Sequence, residues 1–234
     1  MVTTLIVPGL RSSGPDHWQT WLEKSLDGAV RVQQSNWNDA HLANWSQRIR
    51  REISRSPDQV VIVGHSFGAL AAVQAANDHA DRVAGALLVA PADPEKFGVI
   101  ENLPTTPLPF RTIVAASTND PWIAFPVAAR WAQAWGAELI NLGAAGHVNA
   151  ESGFGPWPYA LRIVEVLRER ADADNRITSV FDDEVDRAAA LLSKAGWLVR
   201  APRTASFDAS GQQSISNDVR APLATCEQGE NRNN

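Results

Sequence analysis

The stretch Gln59-Val60-Val61-Ile62-Val63-Gly64-His65-Ser66-Phe67-Gly68 decides how the rest of the chain is interpreted. Its first half is a run of β-branched residues that is apolar on both faces, which is typical of a strand buried in a parallel sheet. The glycine-flanked serine then opens an Ala-rich segment, 66–79, that predicts a helix. The stretch therefore predicts a strand, a tight turn and a helix, with Ser66 at the turn.

The turn itself, residues 64–68, fits the pattern G-x-S-x-G. Between a strand and a helix, this pattern is typical of the nucleophile elbow of α/β-hydrolases, which exposes the serine oxygen at the edge of the sheet. Glycine is needed at both ends of the turn, because a side chain there would collide with neighbouring backbone. The alternative is an ordinary Gly-rich turn with an idle serine, but the strand and the helix around it favour the elbow.

Short apolar runs alternate with helical patterns on both sides of this stretch. Such alternation, in strands that lack a regular exchange of polar and apolar residues, predicts an α/β fold whose parallel sheet is covered on both faces. We expect a shortened sheet of about six strands and, because the segment 91–109 carries five prolines, a minimal lid. The predicted strands are 4–7, 30–34, 59–63, 86–89, 112–115 and 138–141, and the predicted helices are 16–26, 41–54, 66–79, 126–135 and 158–170.

Two later residues complete a candidate catalytic group. A serine hydroxyl needs a base within hydrogen-bond reach, and the base needs an orienting acid. In α/β-hydrolases the acid and the histidine follow the serine in that order, each after a later strand. Asp120 and His147 occupy these places, so the sequence predicts a catalytic triad of Ser66, Asp120 and His147. Asp93 also follows a strand and stays open as the alternative acid, although it could equally be a turn residue beside proline.

Further site residues follow from the loops around the elbow. An oxyanion hole in this fold uses the backbone N–H of the residue after the nucleophile and one from the loop after an early strand. These are predicted to be the N–H groups of Phe67 and Leu10. His17, Trp18 and Trp122 are candidate walls of the substrate pocket.

The composition excludes several other classes of protein. The chain has 44% hydrophobic and 20% charged residues, as expected of a globular protein, and its net charge of −5 argues against a nucleic-acid partner. The single cysteine, Cys226, allows no intrachain disulfide. No metal-ligand spacing or phosphate-binding motif is found, so no cofactor or metal is expected. With no long apolar stretch and no basic leader, we expect a cytoplasmic protein without a membrane partner.

The chain divides into parts of different composition. Eight of the nine tryptophans and every candidate catalytic residue lie before residue 171. We therefore predict an α/β-hydrolase domain over 1–170, a helix-strand extension of unknown role over 171–203 and a disordered tail over 204–234. The extension is interpreted as an unselected tail, with a docking element for a protein partner as the alternative.

Several motifs together resemble the small serine hydrolases grouped with retinoblastoma-binding protein 9. The resemblance spans about residues 4–170 and implies a shortened sheet with little or no lid, the triad named above, hydrolysis of small esters or amides, and no cofactor. The matching stretches are Val7-Pro8-Gly9, His17-Trp18-Gln19 with Trp21, Gln34 with Trp37 and Trp45, 64–68, Ala90-Pro91-Ala92-Asp93-Pro94, Ser117-Thr118-Asn119-Asp120-Pro121 and Gly146-His147-Val148-Asn149-Ala150.

The sequence therefore predicts a metal-free serine hydrolase that cleaves small ester, or else amide, substrates through an acyl-enzyme. Short acyl groups are expected, because the Pro-rich connection leaves room for only a small cap. The alternative is a hydrolase-fold interaction module with a vestigial active site.

Overall fold

A computed structural model describes residues 2–173. Six strands form one parallel sheet in the order β2-β1-β3-β4-β5-β6, which confirms the predicted fold class. Each strand overlaps a predicted one. The strands are β1 (Thr3–Val7), β2 (Ala29–Arg31), β3 (Val60–His65), β4 (Val83–Val89), β5 (Arg111–Ala116) and β6 (Glu138–Asn141).

Helices cover both faces of the sheet. The first and last helices pack on one face, and the other three pack on the opposite face. Side chains of β3 alternate between the two clusters, with Ile62 on one face and Val63 on the other, which explains why this strand is apolar throughout. The helices are α1 (Trp18–Ser25), α2 (Leu42–Arg55), α3 (Phe67–Asn77), α4 (Phe125–Ala134) and α5 (158–173).

The strand order creates one point at which the chain reverses its direction across the sheet. From β1 the chain moves to one side to form β2, and from β3 it moves to the other side through β4, β5 and β6. The loops after β1 and β3 therefore separate and leave a crevice at the carboxyl ends of these strands. Open α/β sheets bind their ligands at such a switch point.

The connection between β4 and β5 carries little secondary structure. Residues 90–110, between β4 and β5, contain a single 3₁₀ turn, Ile100–Asn102, in agreement with the expected minimal lid.

The strand β2 is shorter than the predicted 30–34, and α5 continues through the predicted boundary at residue 170. The predictions for 174–234 lie outside the described residues. Among residues 2–173, no helix is both long and apolar enough to cross a membrane.

Candidate active site

Ser66 stands at the end of the central strand β3 in a strained backbone conformation. Its φ of 55° and ψ of −127° are rare for a residue with a side chain. The turn is tight because α3 begins against the end of β1. A β-carbon at Gly68 would overlap the carbonyl oxygen of Pro8 and lie 2.6 Å from that of Val7, so only glycine fits there. The local geometry is that of the predicted nucleophile elbow.

The structure brings Ser66, His147 and Asp120 together in one chain of hydrogen bonds. His147 Nε2 lies 2.9 Å from Ser66 Oγ, and His147 Nδ1 lies 2.8 Å from Asp120 Oδ2. The Asp120 carboxylate is fully shielded from solvent and also accepts a 2.8 Å bond from the backbone N–H of Trp122. A carboxylate at Nδ1 holds the proton there, which leaves Nε2 free to accept the serine proton. Chemically, this arrangement can activate the serine hydroxyl.

Asp93, the alternative acid, lies elsewhere. Its Oδ1 accepts a 3.1 Å bond from the backbone N–H of Glu95, which closes a turn beside Pro94. It borders a separate shallow groove on the surface next to Arg130 and Trp131. The geometry therefore favours Asp120 as the partner of His147.

The loops that carry Asp120 and His147 are joined by two polar side chains. Ser117 Oγ donates to the carbonyl of Gly143 at 3.1 Å and accepts from the N–H of Ala145 at 2.9 Å. Asn119 Oδ1 accepts a 2.7 Å bond from the N–H of Gly146. Ser117 and Asn119 thus hold the two loops in register. Sequence reasoning did not single out these two roles, because Ser and Asn after a strand are typical of any turn.

Two buried side chains donate hydrogen bonds to the backbone carbonyls of His147 and Val148. His65 Nε2 donates to the carbonyl of His147 at 2.9 Å, and Trp18 Nε1 donates to the carbonyl of Val148 at 2.8 Å. Val148 is fully buried and has a φ of 50°, which is strained for a β-branched residue. The two hydrogen bonds support this strained peptide and thereby the direction of the His147 ring. Trp18 is itself fully buried, so the structure places it behind the site and not at the pocket wall where it was expected.

The two residues that are predicted to supply the oxyanion donors both adjoin Ser66. Phe67 is the first residue of α3, so its N–H has no acceptor within the helix. Leu10 lines the cavity beside Ser66 and follows Gly9, at which a β-carbon would lie only 2.7 Å from Ser66 Cβ. The absence of a side chain at Gly9 allows the loop after β1 to approach the serine.

A cavity of about 480 Å³ opens above Ser66, a volume suited to a small molecule. Of the predicted walls, His17 and Trp122 line it; Trp122 is 45% exposed and stands at the mouth. Phe97, from the connection between β4 and β5, adds an apolar side. The rest of the wall is mixed. It includes the apolar residues Leu10, Pro15 and Ala150 and the charged residues Arg11, Asp16 and Glu151.

Two further histidines stand in a row with His147. The ring centroids of His147 and His65 lie 4.9 Å apart, and those of His65 and His17 are also 4.9 Å apart. Burial, followed by the charge on Arg31 and the neighbouring His147, lowers the pKa of His17 to about 4. Burial, together with the other two histidines, lowers the pKa of His65 well below its ordinary value. His17 and His65 are therefore neutral near pH 7.

Gln19 is a structural support that sequence reasoning missed. Its side chain is fully buried, and its Nε2 donates to the carbonyls of Val7 at 3.2 Å and Val63 at 3.1 Å. Its Oε1 accepts a 2.7 Å bond from Ser13 Oγ. One amide therefore ties the ends of β1 and β3 to the loop that carries Leu10. Gln19 belongs to one of the stretches that carry the family resemblance, but its role was not predicted, because glutamine on a helix is usually exposed.

The parallel sheet, the elbow after its central strand and the hydrogen-bonded serine, histidine and aspartate define an α/β-hydrolase fold. The family model described as "Serine hydrolase" matches residues 4–166, and the chain therefore belongs to this family of hydrolases. No curated protein matches the chain significantly.

Solved structures agree with this assignment. A protein described as a YdeN-like hydrolase from Pectobacterium atrosepticum is 43% identical, and the match covers 71% of this chain and 92% of that one, with a TM-score of 0.68. The ydeN gene product of B. subtilis shares the fold at 21% identity, with coverage of 72% and 100% and a TM-score of 0.60. An α/β-superfamily hydrolase from Xanthomonas campestris does so at 19% identity, with coverage of 72% and 99% and a TM-score of 0.51.

Proposed function

We propose that this hydrolase cleaves small carboxylic esters, and with them some amides, through a covalent acyl-enzyme on Ser66. The observation that carries the proposal is the continuous chain of hydrogen bonds from Ser66 Oγ to the buried carboxylate of Asp120. A serine without a catalytic role would need neither the strained elbow nor a histidine that contacts it through Nε2 and a buried carboxylate through Nδ1. The complete chain is also why an enzyme is favoured over an interaction module with a vestigial site.

In the proposed mechanism, Ser66 Oγ attacks the substrate carbonyl while His147 Nε2 accepts its proton. Asp120 keeps the Nδ1 proton in place and stabilises the imidazolium that forms. The N–H groups of Leu10 and Phe67 donate to the oxyanion, and each such donor contributes about 10²–10³ in rate. His147 then protonates the leaving group, and a water molecule activated by the same imidazole hydrolyses the acyl-enzyme.

The size of the cavity supports small substrates. Its volume of about 480 Å³ lies in the range of small-molecule sites, and the only cover from the β4–β5 connection is Phe97. The wall is partly charged, with Arg11, Asp16 and Glu151 on it, and therefore does not resemble a tunnel for a long acyl chain. We propose short acyl groups for this reason.

Other predictions from the sequence stay proposals. Membership of the subgroup of retinoblastoma-binding protein 9 rests on the motif stretches quoted above, and a cytoplasmic location rests on composition. The division at residue 170 is supported by the family match, which ends at residue 166. A protein partner of the extension has no support within residues 2–173.

A fluorophosphonate probe tests the proposal directly. The wild-type protein should be labelled covalently and should hydrolyse p-nitrophenyl acetate, while Ser66→Ala should do neither. Ser12 also lines the cavity, so Ser12→Ala is a matched control and should still be labelled. Labelling that persists in Ser66→Ala, or a wild type that is neither labelled nor active, would show that Ser66 is not the nucleophile.

A further inference from the structure

His17 carries a polar atom in the cavity that the mechanism does not use. The side chain is 6% exposed, and what remains accessible lines the cavity above Ser66. Its Nδ1 accepts a 3.1 Å hydrogen bond from the backbone N–H of Gln19 and caps α1. In the neutral ring, the proton must therefore sit on Nε2.

No group among the described residues accepts a hydrogen bond from this Nε2–H. Within the described residues this donor is accessible from the cavity, where water accepts its hydrogen bond in the absence of substrate. The donor lies in the cavity where a substrate must bind, and a substrate atom is therefore the natural acceptor. The acceptor must be an oxygen, or another atom with a free lone pair.

The position of His17 indicates which part of the substrate it meets. The rings of His17, His65 and His147 follow one another at 4.9 Å centroid spacings, so His17 lies on the imidazole side of the cavity. The leaving group of an acyl transfer departs on this side, because the catalytic imidazole must protonate it.

We propose that Nε2–H of His17 binds a hydrogen-bond acceptor on the leaving group, and that the enzyme prefers esters and amides whose alcohol or amine carries an ether, hydroxyl or carbonyl oxygen. This inference rests on the proposed function and narrows its substrate class. His17 is a specificity-determining residue in this scheme: it contacts the substrate and takes no part in the proton transfer.

Two esters that differ in one atom test the inference. Butyl acetate and 2-methoxyethyl acetate have leaving groups of nearly equal length, and only the second carries an ether oxygen. The ratio of their kcat/KM values is compared between variants, so that the different intrinsic reactivity of the two esters cancels.

Two substitutions at His17 separate its role as the N-cap of α1 from its role as a hydrogen-bond donor in the cavity. In His17→Asn the short amide can still cap α1, because asparagine is a good N-cap, but it cannot reach the cavity. In His17→Gln the longer amide places an N–H near the position of Nε2, at the expense of the cap. We expect His17→Asn to lower the ratio about threefold to tenfold, the worth of one neutral hydrogen bond, and His17→Gln to retain most of it.

A second substrate pair tests whether His17 contacts the leaving group or the acyl group of the substrate. The ratio for p-nitrophenyl methoxyacetate against p-nitrophenyl butyrate, which places the oxygen in the acyl group, should be the same in wild type and His17→Asn. A change in this pair instead of the first would place His17 on the acyl side and overturn the assignment.

The charge state of His17 gives an independent check. The charged or titratable groups around it are Arg31, His147 and His65, with Asp16 and Glu151 on the same cavity wall. Because His17 is neutral well above its pKa of about 4, the wild-type preference should be constant from about pH 5.5 to about pH 8. A preference that changes through this range would contradict a neutral donor.

The outcomes also distinguish this inference from the proposed function. The inference alone is overturned if Ser66 is labelled and His17→Asn has the same kcat/KM ratio for the two acetates as wild type. An equal fall in kcat/KM for both esters leaves that ratio unchanged and has the same meaning. A labelled wild type that hydrolyses neither acetate overturns it too, because such leaving groups would then not be accepted. Absence of both labelling and hydrolysis overturns the inference and the proposed function together.

Discussion

The buried histidines should make the protein sensitive to mild acid. In the unfolded chain, His17 takes up a proton near its ordinary pKa of 6.5, whereas in the folded protein it does so only near pH 4. Between these values the unfolded state binds more protons, so the free energy of unfolding falls as the pH falls. The stability is fully present above about pH 6.5 and is lost progressively towards about pH 4.

The size of this effect follows from the two pKa values of His17. A difference of one pKa unit corresponds to about 1.4 kcal/mol, so the whole interval amounts to about 3 kcal/mol. About 2 kcal/mol of this falls between about pH 7 and about pH 5. His65, whose pKa is lowered by the same burial, acts in the same direction. The charged or titratable groups around this pair are Arg31 and His147, with Asp16 and Glu151 on the cavity wall.

Urea unfolding at a series of pH values measures the effect. In His17→Asn, the loss of stability between about pH 7 and about pH 5 should be smaller than in wild type by about 2 kcal/mol. His41→Asn is the matched control. His41 also caps a helix, α2, through its Nδ1, which lies 3.3 Å from the backbone N of Asn44. Its side chain is exposed to solvent in the folded protein, so burial does not act on it. If the stability of His17→Asn ran parallel to that of wild type over this range, the reasoning from burial would be refuted.

Two other predictions concern the positioning of His147. Asp120→Asn should lower kcat for p-nitrophenyl acetate about 10³–10⁴-fold, because the amide no longer holds the productive tautomer, whereas Asp93→Asn should stay within about twofold of wild type; the reverse pattern would exchange the two acids. Trp18→Phe leaves the carbonyl of Val148 unpaired and creates a small void. Urea titration should therefore show a loss of about 2–3 kcal/mol. Its kcat/KM should fall as well, even where the variant is fully folded, and unchanged kinetics would show that the bond supports stability only.

Much of the fold could be predicted because its signals are local. A run of apolar, β-branched residues predicts the strand β3. Two glycines around a serine, between that strand and an Ala-rich helix, predict the elbow. The order of Asp120 and His147 after Ser66 then follows from the topology of the fold. The fold class was predictable at this level, as were the three residues that the structure joins by hydrogen bonds.

The supporting residues could not be predicted, because their roles depend on partners far away in the chain. Gln19 looks like a surface residue of a helix, yet it bonds the carbonyl ends of two strands. Trp18 was predicted to be a pocket wall beside His17. Successive residues on a helix point about 100° apart, however, and its indole reaches Val148 behind the site. His17 is also an uncommon helix cap, so neither its tautomer nor its free donor could be read from its neighbours.

The sequence by itself determined the fold class, the position of the nucleophile and the order of its partners. These features depend on hydrophobic periodicity, on turns that only glycine permits, and on chain order, all of which are properties of contiguous residues. Only the tertiary structure decided that Asp120 and not Asp93 meets His147, that Val148 is held under strain, and that His17 turns a free donor into the cavity. These outcomes require distances between segments that meet only when the sheet has assembled, since hydrogen bonds and desolvation act over a few ångströms of space and not over sequence.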